Sequence, residues 1–168
     1  MRRAGGDDAG ALALVAAATF LDTFAGILDG PDIVAHCART SSVGAFTAAL
    51  ARSEPIATLA ELVKGHAPVG YSLLDVPDLP VPSQEGDVEL KKIYTLSRYH
   101  GAGVGPALMA RALQDASAAG AKRMLIGVYG GNARARAFYE RHGFVLAGTR
   151  RFLVGQTHHD DVIYARYL

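Results

Sequence analysis

One cysteine, Cys37, stands in 168 residues. A lone thiol forms no intrachain disulfide and no cysteine metal cluster, and it suits a reducing cytoplasm. Charge of one sign is lacking too. The formal net charge is +1 and no basic stripe is interleaved with aromatics, so nucleic-acid binding is not expected. No apolar run is long enough to span a bilayer. The nearest, Ala11 to Leu21, follows Arg2 and Arg3 in loose imitation of a signal peptide. Asp7 and Asp8 separate the arginines from it and Asp22 closes it, which predicts an amphipathic first helix and no membrane association. There is no internal repeat, no low-complexity tract and no interdomain linker. With 50% apolar and 20% charged residues, the chain reads as a single domain, 1–168.

The elements follow from punctuation and periodicity. Asp7 or Asp8 caps a helix expected to run to about Leu28, with Leu12, Val15, Phe20 and Phe24 among its apolar positions. "DGP", Asp29 to Pro31, breaks it. A second helical region covers about Asp32 to Arg52, with interruptions near Ser41 and Gly44. "PIATLAELV" and "PVGYSLLDV" are strand-like and joined by "KGHA" as a hairpin. Pro77 to Asp87 reads as a surface loop. "VELKKIYTL" is a strand, a helix runs from about Val104 to Ala119, and "RMLIGVY" is apolar almost throughout, as in a strand covered on both faces. That strand–helix–strand unit has a right-handed parallel crossover. A helix to about His142, a strand from Phe144 and the terminal strand "DDVIYARYL" complete a mixed α/β fold, sheet in the middle.

Between strand and helix lies "YHGAGVGPALM". Its spacing, G-x-G-x-G, departs from the dinucleotide fingerprint, and no acidic residue follows at the required distance, where Lys122 and Arg123 stand instead. No Gly-Lys is followed by Ser or Thr, which excludes a nucleoside-triphosphate loop. What remains is a tight turn into a helix whose first amides face outward, with Pro106 in the first turn, where a missing N–H is no loss. Free amides and the positive end of the helix dipole suit a diphosphate. Packing alone could also require such a turn.

Downstream, "GGNARARAFYERHGF" sets Asn132 and Tyr139 two helical turns apart on one face, with Ala135 between them. Together the two segments resemble the GNAT superfamily of acetyl-CoA-dependent N-acyltransferases, closely over about Val88 to Leu168 and in outline before that. The family's glycine signature, Gln or Arg, two residues, Gly, one residue, then Gly or Ala, falls on His100, Gly103 and Gly105, with His100 a departure at the first position. A second register, Arg98, Gly101 and Gly103, satisfies the signature literally. "NARARAFYERHGF" matches the family's second pattern at every fixed position.

The resemblance implies a mostly antiparallel sheet with flanking helices and one parallel unit at the cofactor site. Acetyl-CoA is the implied acyl donor, with no metal. The backbone of Ile93, Tyr94, Thr95 and Leu96 would pair with pantetheine, and the segment His100, Gly101, Ala102, Gly103, Val104, Gly105, Pro106 would hold the pyrophosphate. Asn132 and Ala135 would lie beside the cofactor and Tyr139 near its sulfur. The cofactor would enter where two parallel strands splay, those ending near Leu96 and Tyr129.

Direct transfer needs a deprotonated amine, an oxyanion donor and a proton for the thiolate. Tyr139 is the expected general acid. Glu89 is the first candidate base, Glu61 a second, and Asp161 near the start of the last strand is as well suited to a structural role. His158 and His159 read as solvated and not as metal ligands, and Cys37 as a small buried apolar residue rather than a nucleophile. "TFLDTF", "ELKKIYTL" and "HGAGVG" are similar to bacterial polyamine or small-amine acetyltransferases. Asp22, Asp29, Asp32, Asp75 and Asp78 are candidates to line a cationic acceptor's path. The acceptor pocket is expected from the N-terminal helices and the late loop near Arg150 to Gln156. An amino acid, a peptide or an antibiotic amine remains an alternative acceptor, as does a non-catalytic acyl-CoA sensor. A homodimer is left open.

Overall fold

A computed structural model describes the chain apart from residues 155 and 156, and its side chains apart from those of residues 152–159. The elements are β1 (Arg2–Arg3), α1 (Ala9–Phe24), α2 (Gly30–Thr40), α3 (Val43–Leu50), β2 (Ile56–Glu61), β3 (Pro68–Asp75), β4 (Asp87–Thr95), α4 (Val104–Ala118), β5 (Arg123–Tyr129), α5 (Ala133–Arg141), β6 (Val145–Val154) and β7 (Thr157–Tyr167). The strands form one sheet in the order β1-β2-β3-β4-β5-β7-β6. Every neighbouring pair is antiparallel except β4 with β5. The mixed α/β architecture expected from the sequence is therefore the one observed.

Both faces of the sheet are covered. On one, α4 and α5 bury Met109, Ala112, Ala116 and Tyr139 against Leu74, Leu90, Met124, Ile126 and Val128. On the other, α1 and α3 bury Leu12, Val15, Ala16 and Phe46 against Leu59, Tyr71 and Leu73. The side chains of β5 split between faces with the period of two that a strand imposes: Met124, Ile126 and Val128 face α4, while Leu125 packs with Leu79, Ile163 and Ala165. Leu79 corrects one expectation. The segment read as a surface loop sends this residue, 7% exposed, over a stretch of β5 and β7. A sheet face left dry of helices must be covered by something apolar, and Leu79 with Val81 does so.

Two further expectations shift. The first helix ends at Phe24 and not near Leu28, because Ala25 leaves the helical region and Gly26 takes φ +83°. "DGP" starts α2 as well as separating it from α1: Asp29 is the N-cap residue and Pro31 sits in the first turn. Arg2 and Arg3 form the edge strand β1, pairing with Leu59 and Thr58. Arg2 also bonds Asp8 at 2.7 Å and Glu61 at 2.9 Å. Two residues carry no strand periodicity, so only the partner strand reveals them.

The parallel pair decides the shape of the site. Its register holds for three positions, Asp87 with Arg123, Val88 with Met124 and Glu89 with Leu125. Beyond these, β4 stays with β3 as far as Thr95 opposite Gly70, and β5 stays with β7 as far as Tyr129 opposite Asp161. The two strands therefore diverge, leaving a wedge between residues 90–95 and 126–129. A register slip against β3 contributes: Leu73 faces Lys92 but Leu74 faces Leu90, so Lys91 is the extra residue of a bulge. At the closed end, Arg123 grips Asp87 through two bonds of 2.8 and 2.7 Å and also reaches the Pro82 carbonyl at 2.8 Å.

This forked pair, with side chains 9% and 3% exposed, holds the Asp87 carboxyl below its ordinary value, chiefly through the guanidinium hydrogen bonds. Breaking a buried pair from one side leaves a stranded charge, so Asp87→Asn is expected to cost about 3 kcal/mol or more in denaturant unfolding. Because the folded pKa is depressed, the stabilisation is complete above the unfolded value of about 3.9 and drains as pH falls through the lower folded value. Acid unfolding of the wild type should steepen in that window, and the Asn variant should lack that component.

Candidate active site

The turn between β4 and α4 opens at the mouth of the wedge. It begins with a single 3-10 turn, Ser97–Tyr99, stapled to α1: the Ser97 amide and hydroxyl donate to Asp22 at 2.8 and 3.1 Å. The Ala102 amide donates to the Tyr99 carbonyl at 3.2 Å and Ala107 donates to Gly103 at 3.1 Å. The amides of Gly101, Gly103, Val104 and Gly105 find no backbone acceptor among the described residues. Gly101 and Gly103 take φ +83° and +81°, which turns successive N–H groups outward and which only glycine adopts without strain. A Cβ built at either meets nothing within 4 Å, so ligand atoms have room to reach the main chain. These four donors stand at the positive end of α4, where the helix dipole favours an anion. Pro106 adds no amide and serves to start the helix.

His100 is held to the turn through one ring nitrogen. Its Nε2 lies 3.1 Å from the Thr95 carbonyl, which only accepts, so this nitrogen carries the proton. Burial and the nearby Arg134 guanidinium lower its pKa. His100 ties the end of β4 to the turn. Arg134, exposed in the first turn of α5 and within electrostatic reach of His100, is the cation the sequence reading missed. The motif leaves its position variable, so no spacing rule identifies it.

Leu96 is a correction. Its amide donates to the Val69 carbonyl at 2.9 Å and its carbonyl accepts from Tyr99, so it is not free for pantetheine. The edge of β4 that faces the wedge is the backbone of residues 90–95, which includes Ile93, Tyr94 and Thr95. Gly70 lets β3 approach there, since a Cβ on it would lie 2.8 Å from the Tyr94 carbonyl.

Asn132 caps α5, its Oδ1 accepting from the Ala135 amide at 3.0 Å, which leaves its NH2 group free to donate. Ala135 packs against the core one turn on. Tyr139 is 6% exposed, its ring against Phe138, Phe144 and Tyr164, and no hydrogen bond to its hydroxyl occurs among the described residues. Burial first, then the Tyr94 phenol, pushes its pKa well above the usual phenol range. Tyr139 packs on the α4 face of the sheet and Tyr94 against the α1 face. Burial and Asp161 raise Tyr94 to about 12.

Glu89 stands at the last paired position of the wedge, 4% exposed. It accepts from Lys91 at 2.7 Å and from the Asp78 amide at 3.0 Å, while burial raises its pKa. Glu61 pairs with Arg2 at the end of β2 level with the open end of the wedge, with β3 lying between it and β4. Asp161, 5% exposed, pairs with Arg150 at 3.2 Å opposite Tyr129. Arg150 and Asp161 line a cleft of about 440 Å³ with Gly130, Thr149 and Val162. The side chains of His158 and His159, and the loop residues 155 and 156, lie outside the described residues. Among the described residues no group of His, Cys, Asp and Glu is placed to hold a metal ion, and no helix is long and apolar enough to cross a membrane.

A wedge between two parallel strands with a glycine-lined helix mouth at its opening defines the acyltransferase class of α/β fold. The model of the acetyltransferase (GNAT) family matches residues 29–144, and the chain belongs to that family. It is 41% identical over 100 residues to an uncharacterized N-acetyltransferase of Mycobacterium tuberculosis, covering 60% of each chain. The chain thus spans only part of the length of the curated relatives it matches. Among solved structures it resembles the PaiA N-acetyltransferase of Thermoplasma acidophilum in complex with coenzyme A, with TM-score 0.81 and 20% identity over 99% of this chain and 97% of that one. It also resembles a streptothricin acetyltransferase of Bacillus anthracis in complex with acetyl coenzyme A, with TM-score 0.57 and 22% identity over 70% and 64% of the chains.

The cradle makes separable demands on conformation and on space. Gly103→Ala places a side chain at φ +81°, costing about 1–2 kcal/mol of backbone strain and turning the amides away. Coenzyme A affinity by calorimetric titration is expected to fall about tenfold or more. Gly143→Ala, equally strained at φ +80° but outside the turn, should lower the melting temperature and leave affinity unchanged.

Proposed function

We propose that the chain transfers the acetyl group of acetyl-CoA to a primary amine of a small molecule by direct attack. The observation that carries this is the set of four free amides at the mouth of α4, opening onto the wedge with Tyr139 buried beyond it. The two structural neighbours carrying coenzyme A or acetyl coenzyme A support the choice of donor.

The residues divide the work. Gly101, Gly103, Val104 and Gly105 hold the diphosphate, assisted by Arg134. The free edge of β4 pairs with the pantetheine amides, and its N–H groups polarise the thioester carbonyl. Asn132 donates from its free NH2 group. The Tyr139 hydroxyl, kept protonated by burial, donates to sulfur as negative charge develops there. A thiol has an ordinary pKa of about 8.5, so a phenol above that range stabilises the charge by hydrogen bonding first and surrenders its proton late. An alkylammonium, with pKa of about 10.4, must lose its proton before attack. Glu89, whose pKa burial raises, takes that proton through water. Burial raises the Cys37 thiol, which argues against an acetyl-cysteine route.

Tyr139→Phe is expected to lower kcat about 10²-fold, with coenzyme A affinity little changed. Free-thiol release under saturating acetyl-CoA reads the first quantity and calorimetry the second. Undiminished turnover would remove Tyr139 from the transfer step, and tight binding with no turnover on any amine would favour a sensor.

A further inference from the structure

Beneath α2 lies a polar cluster that the transfer step leaves unused. Lys92 is two residues from Tyr94 on β4 and so shares its face, the one covered by α1 to α3. Its ammonium has one hydrogen-bonding neighbour, the Thr40 hydroxyl, at a long 3.5 Å. The other groups that feel it are His36 and Cys37, neither acidic. The contrast with other buried or half-buried cations is plain. Lys91 lies 2.7 Å from both Asp78 and Glu89, Arg123 2.7 Å from Asp87 and Arg150 3.2 Å from Asp161. Among the described residues Lys92 has no carboxylate partner, and burial pulls its pKa down to about 8.

Two more polar atoms of α2 are buried without partners, His36 Nδ1 and Ser41 Oγ, on residues 8% and 4% exposed. Buried polar groups are ordinarily satisfied, so each orphan leaves a hydrogen-bonding position open. The C-terminal end of α2 favours a cation but offsets only part of the cost of desolvating an ammonium. An aromatic wall links this cluster to the wedge. His36 stacks on Phe20 at 4.2 Å, Phe20 meets Phe24 at 4.6 Å, and Phe24 meets Tyr129, at the open end of β5, at 6.5 Å.

We propose that Lys92, with His36 and Thr40, binds an acid group of the acceptor, so that the substrate is an amine that also carries a carboxylate, of the amino-acid class. This rests on the acetyl-transfer reading above and narrows its acceptor. The carboxylates expected to guide a polycation are largely occupied: Asp22 holds Ser97, Asp75 lies 2.8 Å from Arg52, and Asp78 holds Lys91.

The test compares matched amines with and without the acid: phenylalanine against phenethylamine, leucine against isoamylamine, and spermidine as polycation. Thiol release should favour the acid-bearing member at least tenfold in kcat/KM. Lys92→Met keeps the stem and removes the charge. It should raise KM for that member at least tenfold, leave kcat and coenzyme A affinity unchanged, and raise the melting temperature, because an unpaired buried charge is gone. Calorimetric titration of the coenzyme A-loaded protein with the same amines reads binding apart from turnover. Tighter binding of the acid-bearing amine, lost in Lys92→Met, without thiol release would uphold the subsite and sink the transfer reading. Equal or better use of spermidine or the decarboxylated amines, or no discrimination in binding and turnover alike, would overturn the proposal.

Discussion

Three residue pairs of parallel ladder, clamped by the Arg123–Asp87 fork, carry the whole arrangement. A sheet that stayed paired along β4 and β5 would offer no backbone to a ligand, since every N–H and C=O would be spent on its neighbour. Here pairing stops after Glu89 and Leu125, and each strand keeps only its outer partner. The freed main-chain groups line a slot whose width grows toward Thr95 and Tyr129. The turn into α4 sits at that wide end and adds its unbonded amides. Charge recognition and strand-like recognition thus meet at one opening, which suits a long ligand with a diphosphate at one end and amides in its tail.

Helices on both faces convert this slot into a site with two sides. From one face α5 brings Asn132 to the rim and Tyr139 to the interior, and from the other the turn of β4 toward α1 brings Tyr94. Asp22 shows how the faces communicate. A carboxylate on α1 holds the start of the glycine turn through Ser97, so a helix on one face of the sheet orients the turn that leads into α4 on the other. The ionic pattern separates scaffold from function in the same way. The forked pair of Arg123 with Asp87 locks the closed end, while Lys92 is left without a counter-ion among the described residues, unlike Lys91 next door, which meets Asp78 and Glu89. Neighbours in sequence, Lys91 and Lys92 differ because the bulge sends them to different surroundings.

Much of this was legible from residues alone. Elements whose signals are local came through: α4 from Gly103 to Gly120, β5 as an apolar run after Arg123, α5 between Asn132 and Gly143, and the hairpin of β2 and β3. The same holds for the cradle, because φ > 0 at Gly101 and Gly103 is a property of the glycines themselves. Illegible were contacts that join distant segments. Leu96 looked like a free amide until the Val69 carbonyl claimed it, and Pro77 to Asp87 like surface until Leu79 plugged the sheet, while the bond from His100 to the Thr95 carbonyl has no signal in the sequence. Arg134 and Lys92 carry no motif position, and β1 is too short for any period.

What the chain's order of residues determined by itself was where the backbone turns, which helix mouths stay uncapped and which strands are buried, since these depend on side chains a few positions apart. Only the tertiary structure decided which amides remain unbonded, which carboxylates are already spent and which cation is left alone. Those are differences between competing partners, and a partner far away in sequence wins or loses only when folding sets the distance.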